Sequence, residues 1–215
     1  KTTKETLKVL NGEDQELTYK ETLHGPILDV FSMEDNEDVY GNQIIGFQWS
    51  ALTETTTTFA ALYNIMYANN LTEFNEAAQD FKLPSQNLVF ADKFGNIAIR
   101  CTGSVPIRVH QNNRSKYLDN TATEPLFLLN GTADPFPWNG TIPFDELPYC
   151  ENPKQGYLAS ANQLSAGPEY KYYLQSNLLA NYRGRRINEL LANDDSVTIE
   201  DMKKFQLDQK SLISE

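Results

Sequence analysis

The chain has 215 residues, of which 40% are hydrophobic and 22% are charged, a composition typical of globular proteins. Its 18 Lys and Arg against 29 Asp and Glu give a net charge of −11, which argues against a broad nucleic-acid-binding face because such a face needs clustered cations. No apolar run approaches the ~20 residues of a membrane span, so neither a nucleic acid nor a membrane is an expected partner.

Residues 1–55 are predicted to be rich in strands. Apolar and polar residues alternate on both sides of Asn11-Gly12, a dipeptide that favours a hairpin turn. The HGP motif at 24–26 interrupts the next extended stretch, and because proline cannot donate to a ladder, we expect a sheet edge or a bulge at Pro26. The apolar run at 44–52 predicts a buried strand.

Residues 56–82 are predicted to form two helices. Each contains apolar residues at the i, i+3, i+4, i+7 spacing that places them on one face of a helix. The first set is Phe59, Leu62, Tyr63 and Met66, and the second is Phe74, Ala77, Ala78 and Phe81. Asn70 and Glu73 have the spacing of a capping box at the start of the second helix, which we expect to end before Pro84.

The rest of the chain continues in the same mixed pattern. Residues 87–108 predict a β-hairpin, 110–155 a long irregular loop, 157–162 a short strand and 170–212 two helices. Thr198 and Asp201 are predicted to cap the last helix. The predicted class is therefore α+β, with antiparallel sheets and helices.

Several well-known kinds of site are excluded. The sequence contains no GxGxxG, GxxxxGK[ST], HExxH or GxSxG motif. Its two histidines are too few for a His-rich metal site; we expect His24 to be structural and His110 to be exposed.

Carboxylates and cysteines leave weaker alternatives open. Asp134, Asp145 and Glu146 are compatible with a glycosidase pair, although a solvated acidic face explains them more simply. Cys101 and Cys150 exclude a disulfide scaffold but leave one bridge possible.

Asn162 ends the predicted strand at 157–162, just before a helical region. An amide N–H at the end of a strand can donate to an oxyanion and so stabilise a transition state. On spacing alone, a turn role is the more common explanation for such an asparagine.

Seven short motifs occur in an order that resembles the nucleophile-bearing chain of the penicillin acylase family of N-terminal-nucleophile amidohydrolases. The motifs are HGPI (24–27), WSAL (49–52), PSQN-LVFAD-x-x-GNIA (84–98), GSVPIR (103–108), WNGTIPFDELP (138–148), NP-x-x-G-x-x-x-SAN (152–162) and YRGRRI-x-ELL (182–191). Each motif alone is weakly specific, but seven in one order are strongly so, and together they cover nearly the whole chain.

The resemblance implies a fold and a reaction. The fold would be part of an αββα four-layer sandwich, so that residues 1–215 form a partial penicillin-acylase-like domain. The reaction would be hydrolysis of a linear N-acyl amide (a penicillin, an acyl-homoserine lactone or a related compound) by an N-terminal serine whose α-amine acts as base. An α-amine pKa near 8 suits it to accept a proton at neutral pH.

The resemblance also implies site residues. Asn162 matches the family's oxyanion-hole asparagine, and Arg183 matches the arginine that orients it, with Arg186 as a competing match. The family needs no organic cofactor. The position that corresponds to a calcium-binding aspartate falls near Tyr172–Tyr173, which offers no carboxylate, so calcium is not expected here.

The nucleophile itself is expected to lie outside this chain. Position 1 is Lys1, and the polar residues after it do not resemble the apolar start of a strand that carries a nucleophile, so Thr2 is a poor candidate for the nucleophile. We expect the chain to be an internal segment that is catalytically inert by itself. Its expected partners are the rest of a precursor, which is matured by autocatalytic cleavage, and a small acyl-amide substrate. The family implies a periplasmic or extracellular location, which would permit a Cys101–Cys150 bridge. The alternative is a non-catalytic binding or structural module that retains the acylase fold.

Overall fold

The computed structural model describes residues 1–28, 44–52, 57–108, 138–167, 169–172, 174, 181–193 and 196–214. These residues belong to two compact units. The first contains residues 1–28 and 44–52, and the second contains the described residues from 57 onward. The prediction that residues 1–215 form one partial domain stays a prediction.

The first unit is built on an antiparallel hairpin. Strand β1 (Thr2–Leu7) pairs with β2 (Gln15–Thr22) in a register that runs from Thr2↔Lys20 to Leu7↔Gln15. Asn11 adopts the left-handed conformation at φ 60°, which asparagine tolerates better than most residues. The predicted turn at Asn11-Gly12 is confirmed.

The HGP motif forms the edge of this sheet. Strand β3 (Gly25–Pro26) pairs with the end of β2, and the carbonyl of Pro26 accepts a hydrogen bond from the Phe47 N–H at 2.8 Å. Gly25 has φ +121°, and a Cβ there would lie 2.2 Å from the Phe47 carbonyl oxygen, so only glycine fits. The predicted sheet edge at Pro26 is confirmed.

The predicted buried strand at 44–52 is wrong. Among the described residues, one bridge, Ile27↔Gly46, joins this segment to the sheet, and a 3₁₀ turn follows at Ser50–Leu52. Ile44 is 71% exposed and Trp49 is 52% exposed. The physical reason is that the segment hydrogen-bonds to a single neighbour over a few residues, so it has too little ladder to form a strand.

In the second unit, helices α1 (Thr58–Tyr67) and α2 (Leu71–Ala78) confirm the predicted helical pair. The Asn70 side chain accepts a hydrogen bond from the Glu73 N–H at 3.0 Å, and the Glu73 carboxylate accepts one from the Asn69 N–H at 2.8 Å. The hydrogen bonds that the Asn69 N–H and the side-chain amides of Asn69 and Asn70 donate to this carboxylate lower the pKa of Glu73. The predicted apolar face of α2 is buried, and the ring centroids of Phe74 and Phe90 lie 5.0 Å apart.

The apolar face of α1 is largely exposed. Phe59 is 86% exposed and Met66 is 81% exposed, whereas Thr58 and Ala61 are buried. The Thr58 hydroxyl donates to the Leu83 carbonyl at 2.7 Å and accepts from the Leu83 N–H at 3.0 Å. The helix is therefore held to the following segment through a small polar residue, and its large apolar side chains lie on another face.

A three-stranded antiparallel sheet lies at the centre of the second unit. Strand β5 (Ile97–Cys101) pairs with β4 (Asn87–Ala91) on one side and with β8 (Tyr149–Glu151) on the other. A separate pair joins β6 (Pro106–Arg108) to β7 (Trp138–Thr141). The predicted hairpin is therefore present.

The predicted irregular loop at 110–155 is wrong where it overlaps β7 and β8, and residues 109–137 lie outside the described residues. Both strands are three or four residues long, too short to produce a recognisable alternation in the sequence.

The predicted strand at 157–162 is absent: this segment has no ladder partner in the part of the chain that the structure describes, and side chains bind its backbone. Two helices follow, α3 (Tyr182–Ala192) and α4 (Ile199–Gln206), within the predicted helical region. Thr198 and Asp201 form the predicted capping box on α4. Antiparallel sheets combined with helices confirm the α+β class, and none of the described helices has the length and apolarity needed to cross a bilayer.

Candidate active site

Asn162 lies at a sharp turn in the segment between β8 and α3. Its backbone has φ +63°, in the left-handed region that asparagine enters more readily than most non-glycine residues. The preceding Ala161 is buried at 8% exposure, whereas Asn162 itself is exposed. The turn therefore anchors one residue in the core and presents the next to solvent.

Arg183, in the first turn of α3, contacts this turn directly. Its Nη2 donates to Asn162 Oδ1 at 2.7 Å and to the Ala161 carbonyl at 3.1 Å. The helix start is fixed by Asn181, whose side chain accepts from the Gly184 N–H at 3.0 Å. A Cβ on Gly184 would lie 2.2 Å from Asn181 Oδ1, which explains the glycine in the YRGRR motif.

The contact with Arg183 determines what the Asn162 amide can still do. Its oxygen is taken by a cationic donor, and within the described part of the chain its Nδ2 donates to no other residue. A charge-assisted hydrogen bond to the amide oxygen polarises the amide and strengthens its N–H groups as donors. The arrangement is suited to stabilise an anionic oxygen.

Arg186, the competing match, lies elsewhere. Its guanidinium binds both carboxylate oxygens of Asp208 at 2.9 Å and approaches Glu189 at 3.3 Å. The hydrogen bond from Arg186 lowers the pKa of Asp208. The structure thus pairs Asn162 with Arg183, whereas Arg186 ties α3 to the segment after α4. The catalytic roles of Asn162 and Arg183 stay predictions.

The carboxylates considered for a glycosidase do not form a matched pair in the structure. The Asp145 side chain is 97% exposed and lies 3.8 Å from Arg100, and Asp134 lies outside the described residues. Glu146 binds the Lys171 ammonium at 2.6 Å and accepts a hydrogen bond from the Tyr172 hydroxyl. These two donors lower the pKa of Glu146, the opposite of what a general acid needs.

The position that the resemblance relates to a calcium ligand lies beside Glu146. The Tyr172 hydroxyl donates to the Glu146 carboxylate, whose charge the Lys171 ammonium already balances. Among the described residues, no group of three or more His, Cys, Asp or Glu side chains is arranged to hold a metal. Tyr173 lies outside the described residues.

The remaining candidates have structural positions. His24 is in the turn between β2 and β3, where its N–H donates to the Thr22 hydroxyl at 3.1 Å, and His110 lies outside the described residues. Thr2 pairs with Lys20 in β1.

Cys101 and Cys150 are both free thiols. The register pairs Ile99, not Cys101, with Cys150, so the two cysteines are diagonal neighbours. The Cα atoms of diagonal neighbours are about 7–8 Å apart, whereas the Cα atoms of a disulfide are usually about 4.4–6.8 Å apart. Burial raises the pKa of the Cys101 thiol, which makes it a poor nucleophile.

Two polar residues at the turn were assigned no role from the sequence. Gln163 hydrogen-bonds back to the segment that precedes Asn162, and Asn87 on β4 binds Ser160. The available signal was the cluster of polar side chains at Asn162, Gln163 and Ser165.

Comparisons with known proteins identify the family to which the chain is similar. The family model described as penicillin amidase matches residues 1–215. The chain is 23% identical over 208 residues to a penicillin acylase 2 proenzyme of Pseudomonas sp. (strain SE83), covering 97% of this chain and 24% of that protein. It is 28% identical over 176 residues to the penicillin G acylase of Escherichia coli, covering 82% of this chain and 18% of that protein. It is 29% identical over 173 residues to the acyl-homoserine lactone acylase QuiP of Pseudomonas fluorescens (strain Pf0-1), covering 79% of this chain and 19% of that protein.

A solved structure shows the same fold. The thermostable penicillin G acylase from Alcaligenes faecalis superposes with a TM-score of 0.62 at 23% identity, over 96% of this chain and 34% of that one. The predicted relation to the N-terminal-nucleophile fold is confirmed. The chain spans about a quarter or less of the length of the curated relatives it matches.

Proposed function

Because the chain belongs to the penicillin amidase family, we propose that it forms part of a hydrolase that cleaves a linear N-acyl amide bond. The relatives support this class of reaction, since they are acylases of penicillins and of acyl-homoserine lactones. The rest of the precursor is the proposed partner, because this chain accounts for about a quarter or less of each relative.

The proposed role of this segment is to stabilise the oxyanion. An N-terminal serine outside the chain attacks the acyl carbonyl while its own α-amine accepts the hydroxyl proton. The C–O bond forms, the carbonyl oxygen becomes negative, and Asn162 Nδ2 donates a hydrogen bond to it. The carbonyl then re-forms as the C–N bond breaks, and the leaving amine takes the proton from the α-ammonium. Water, which gives a proton to the same α-amine, attacks the acyl-enzyme ester and releases the acid and the free serine.

One observation carries this role: Arg183 Nη2 lies 2.7 Å from Asn162 Oδ1. The hydrogen bond fixes which end of the amide faces Arg183, and so leaves the donor end for the substrate. Pre-oriented donors of this kind are worth about 10²–10³ in rate in known hydrolases.

Maturation and location follow from the family as further parts of the proposal. The precursor would cleave itself to expose the nucleophile, and the mature enzyme would act in the periplasm or outside the cell. The acyl group is left open between penicillin-type and acyl-homoserine lactone substrates, because both classes occur among the relatives.

The test begins with the whole precursor that carries this chain. N-terminal sequencing of the mature protein should find a new chain that begins with serine upstream of Lys1, and replacing that serine with alanine should abolish both maturation and hydrolysis. Phenylacetyl, glutaryl and fatty-acyl anilides and an acyl-homoserine lactone are the substrates to assay. An uncleaved precursor that hydrolyses none of them would contradict the proposal and favour a non-catalytic module with the acylase fold.

A further inference from the structure

Within the described residues, no strand ladder holds the turn that presents Asn162. Residues 157–162 pair with no described strand, and the Asn162 backbone is in the left-handed conformation at φ +63°. A backbone in that region is maintained only where the surrounding structure determines it. The described contacts that hold this turn come from side chains.

Gln163 supplies two of these contacts. Its Oε1 accepts from the Ala161 N–H at 2.6 Å, and its Nε2 donates to the Ala159 carbonyl at 3.1 Å. One side-chain amide thus binds a backbone donor and a backbone acceptor two residues apart, as a neighbouring strand would. The two bonds close a ring that spans Ala159 to Gln163.

Hydrogen bonds of the Asn87 side chain connect this Gln163 ring to the sheet. Its Nδ2 donates to the Ser160 hydroxyl at 2.9 Å and lies 3.4 Å from that of Ser165, while its Oδ1 accepts from the Cys101 thiol at 3.1 Å. The base of the turn is therefore attached to β4 and β5, and the Gln163 ring shapes its tip.

We infer that Gln163 is a positioning residue for the acylase reaction: its side-chain amide replaces a missing β-ladder and sets the backbone angle that aims Asn162 at the oxyanion. The inference rests on the proposed function. It differs from the role of Arg183, which binds the Asn162 side chain and the Ala161 carbonyl, because Gln163 acts through the Ala161 N–H and the Ala159 carbonyl.

The chain offers graded variants. Gln163→Ala removes both hydrogen bonds. Gln163→Glu keeps an acceptor for the Ala161 N–H but places a carboxylate oxygen against the Ala159 carbonyl, so it should retain part of the function. Gln155→Ala is the matched control, because Gln155 also binds a nearby backbone carbonyl, that of Tyr157 at 2.9 Å, but does not touch the ring.

The decisive experiment is a double-mutant cycle in the whole enzyme, assayed on the anilide that it hydrolyses fastest. Gln163→Ala should lower kcat about 10–100-fold with little change in KM, as loss of a supporting residue typically does. In an Asn162→Ala background the same change should have almost no further effect, because a residue that acts through Asn162 has nothing left to position. Gln155→Ala should leave kcat unchanged.

The outcomes separate the two claims. If Asn162→Ala leaves kcat intact, the proposed site is wrong. If Asn162→Ala lowers kcat but Gln163→Ala does not, or if the two losses multiply, the positioning role alone is overturned.

Hydrogen exchange provides a readout that does not depend on turnover. The peptide that covers residues 157–165 should lose one protected amide, that of Ala161, in Gln163→Ala at an unchanged Tm. Unchanged protection of that amide would also overturn the inference.

Discussion

The guanidinium of Arg183 holds the amide of Asn162 by its oxygen, with Nη2 2.7 Å from Oδ1. The two residues are 21 positions apart, and the same Nη2 also binds the Ala161 carbonyl at 3.1 Å. Arg183 therefore fixes both the side chain and the adjacent backbone of the residue that we propose as oxyanion donor.

The two arginines on α3 should respond differently to the same substitution. Arg183→Gln in the whole enzyme removes the charged support of Asn162, and we expect kcat to fall about 10–100-fold, the usual cost of losing a supporting contact. Arg186→Gln breaks the two-point contact with Asp208 and should lower Tm while kcat is preserved. Steady-state kinetics and thermal unfolding of both variants make the comparison.

The opposite pattern would exclude Arg183 from the site. If Arg186→Gln abolished turnover at an unchanged Tm and Arg183→Gln did not, Arg186 would be the functional arginine. The Arg186–Asp208 pair would then have a role beyond holding α3 in place.

The capping box of α4 predicts a dependence of stability on pH. The Thr198 hydroxyl, with the Lys204 ammonium and the Thr198 N–H, lowers the pKa of Asp201 to about 2. A carboxylate whose pKa is lower in the folded state stabilises fully above its ordinary pKa, about 3.9, and loses that contribution as the pH falls toward 2. The difference in Tm between the natural protein and Asp201→Asn should therefore be largest near pH 6 and shrink below pH 4.

Measuring Tm of both proteins from pH 6 down to the lowest pH at which they fold checks this prediction. Glu200→Gln is the control, because Glu200 is on the same helix turn and binds Lys203 at the surface. A difference for Asp201→Asn that stayed constant with pH would show that its charge does not support the cap.

Tyr170 should titrate later than an ordinary tyrosine. Burial, with the nearby Cys101, Tyr172 and Glu146, raises its pKa to about 12, and its hydroxyl donates to the Glu146 carbonyl at 2.7 Å. Because the pKa is raised in the folded state, the stabilising contribution is complete below pH 10 and is lost as the pH rises through 12. The difference in phenolate absorbance between the natural protein and Tyr170→Phe isolates this group. A midpoint near pH 10 would contradict the prediction.

The sequence was most informative where a local rule applies. The Asn11-Gly12 turn, the Asn70 and Thr198 caps and the hairpin of β4 and β5 each depend on neighbouring residues, so the pattern predicts them correctly. The pairing of Asn162 with Arg183 is not local. It was found only because several motifs in one order pointed to a known family.

The sequence was least informative where the contact partner decides the outcome. The helical periodicity of α1 was right, but the small residues Thr58 and Ala61 are the buried ones, while Phe59 remains 86% exposed. The contacts of Gln163 could not be predicted either, because they require the turn to be in place before the side chain can bind its backbone.

The proposed oxyanion site depends most directly on Asn162, and Asn152 provides a matched control. Both asparagines have positive φ, 63° and 42°, but the Asn152 side chain binds the Ile97 N–H at 2.9 Å and so has a structural task. Replacing either with alanine removes the same side-chain amide.

The measurement is kcat on the preferred anilide in the whole enzyme, with Tm recorded for each variant. Asn162→Ala should lower kcat about 10²–10³-fold at nearly unchanged Tm, the effect of removing one oxyanion donor, whereas Asn152→Ala should lower Tm and spare kcat. An Asn162→Ala enzyme that turned over at the natural rate would contradict the account.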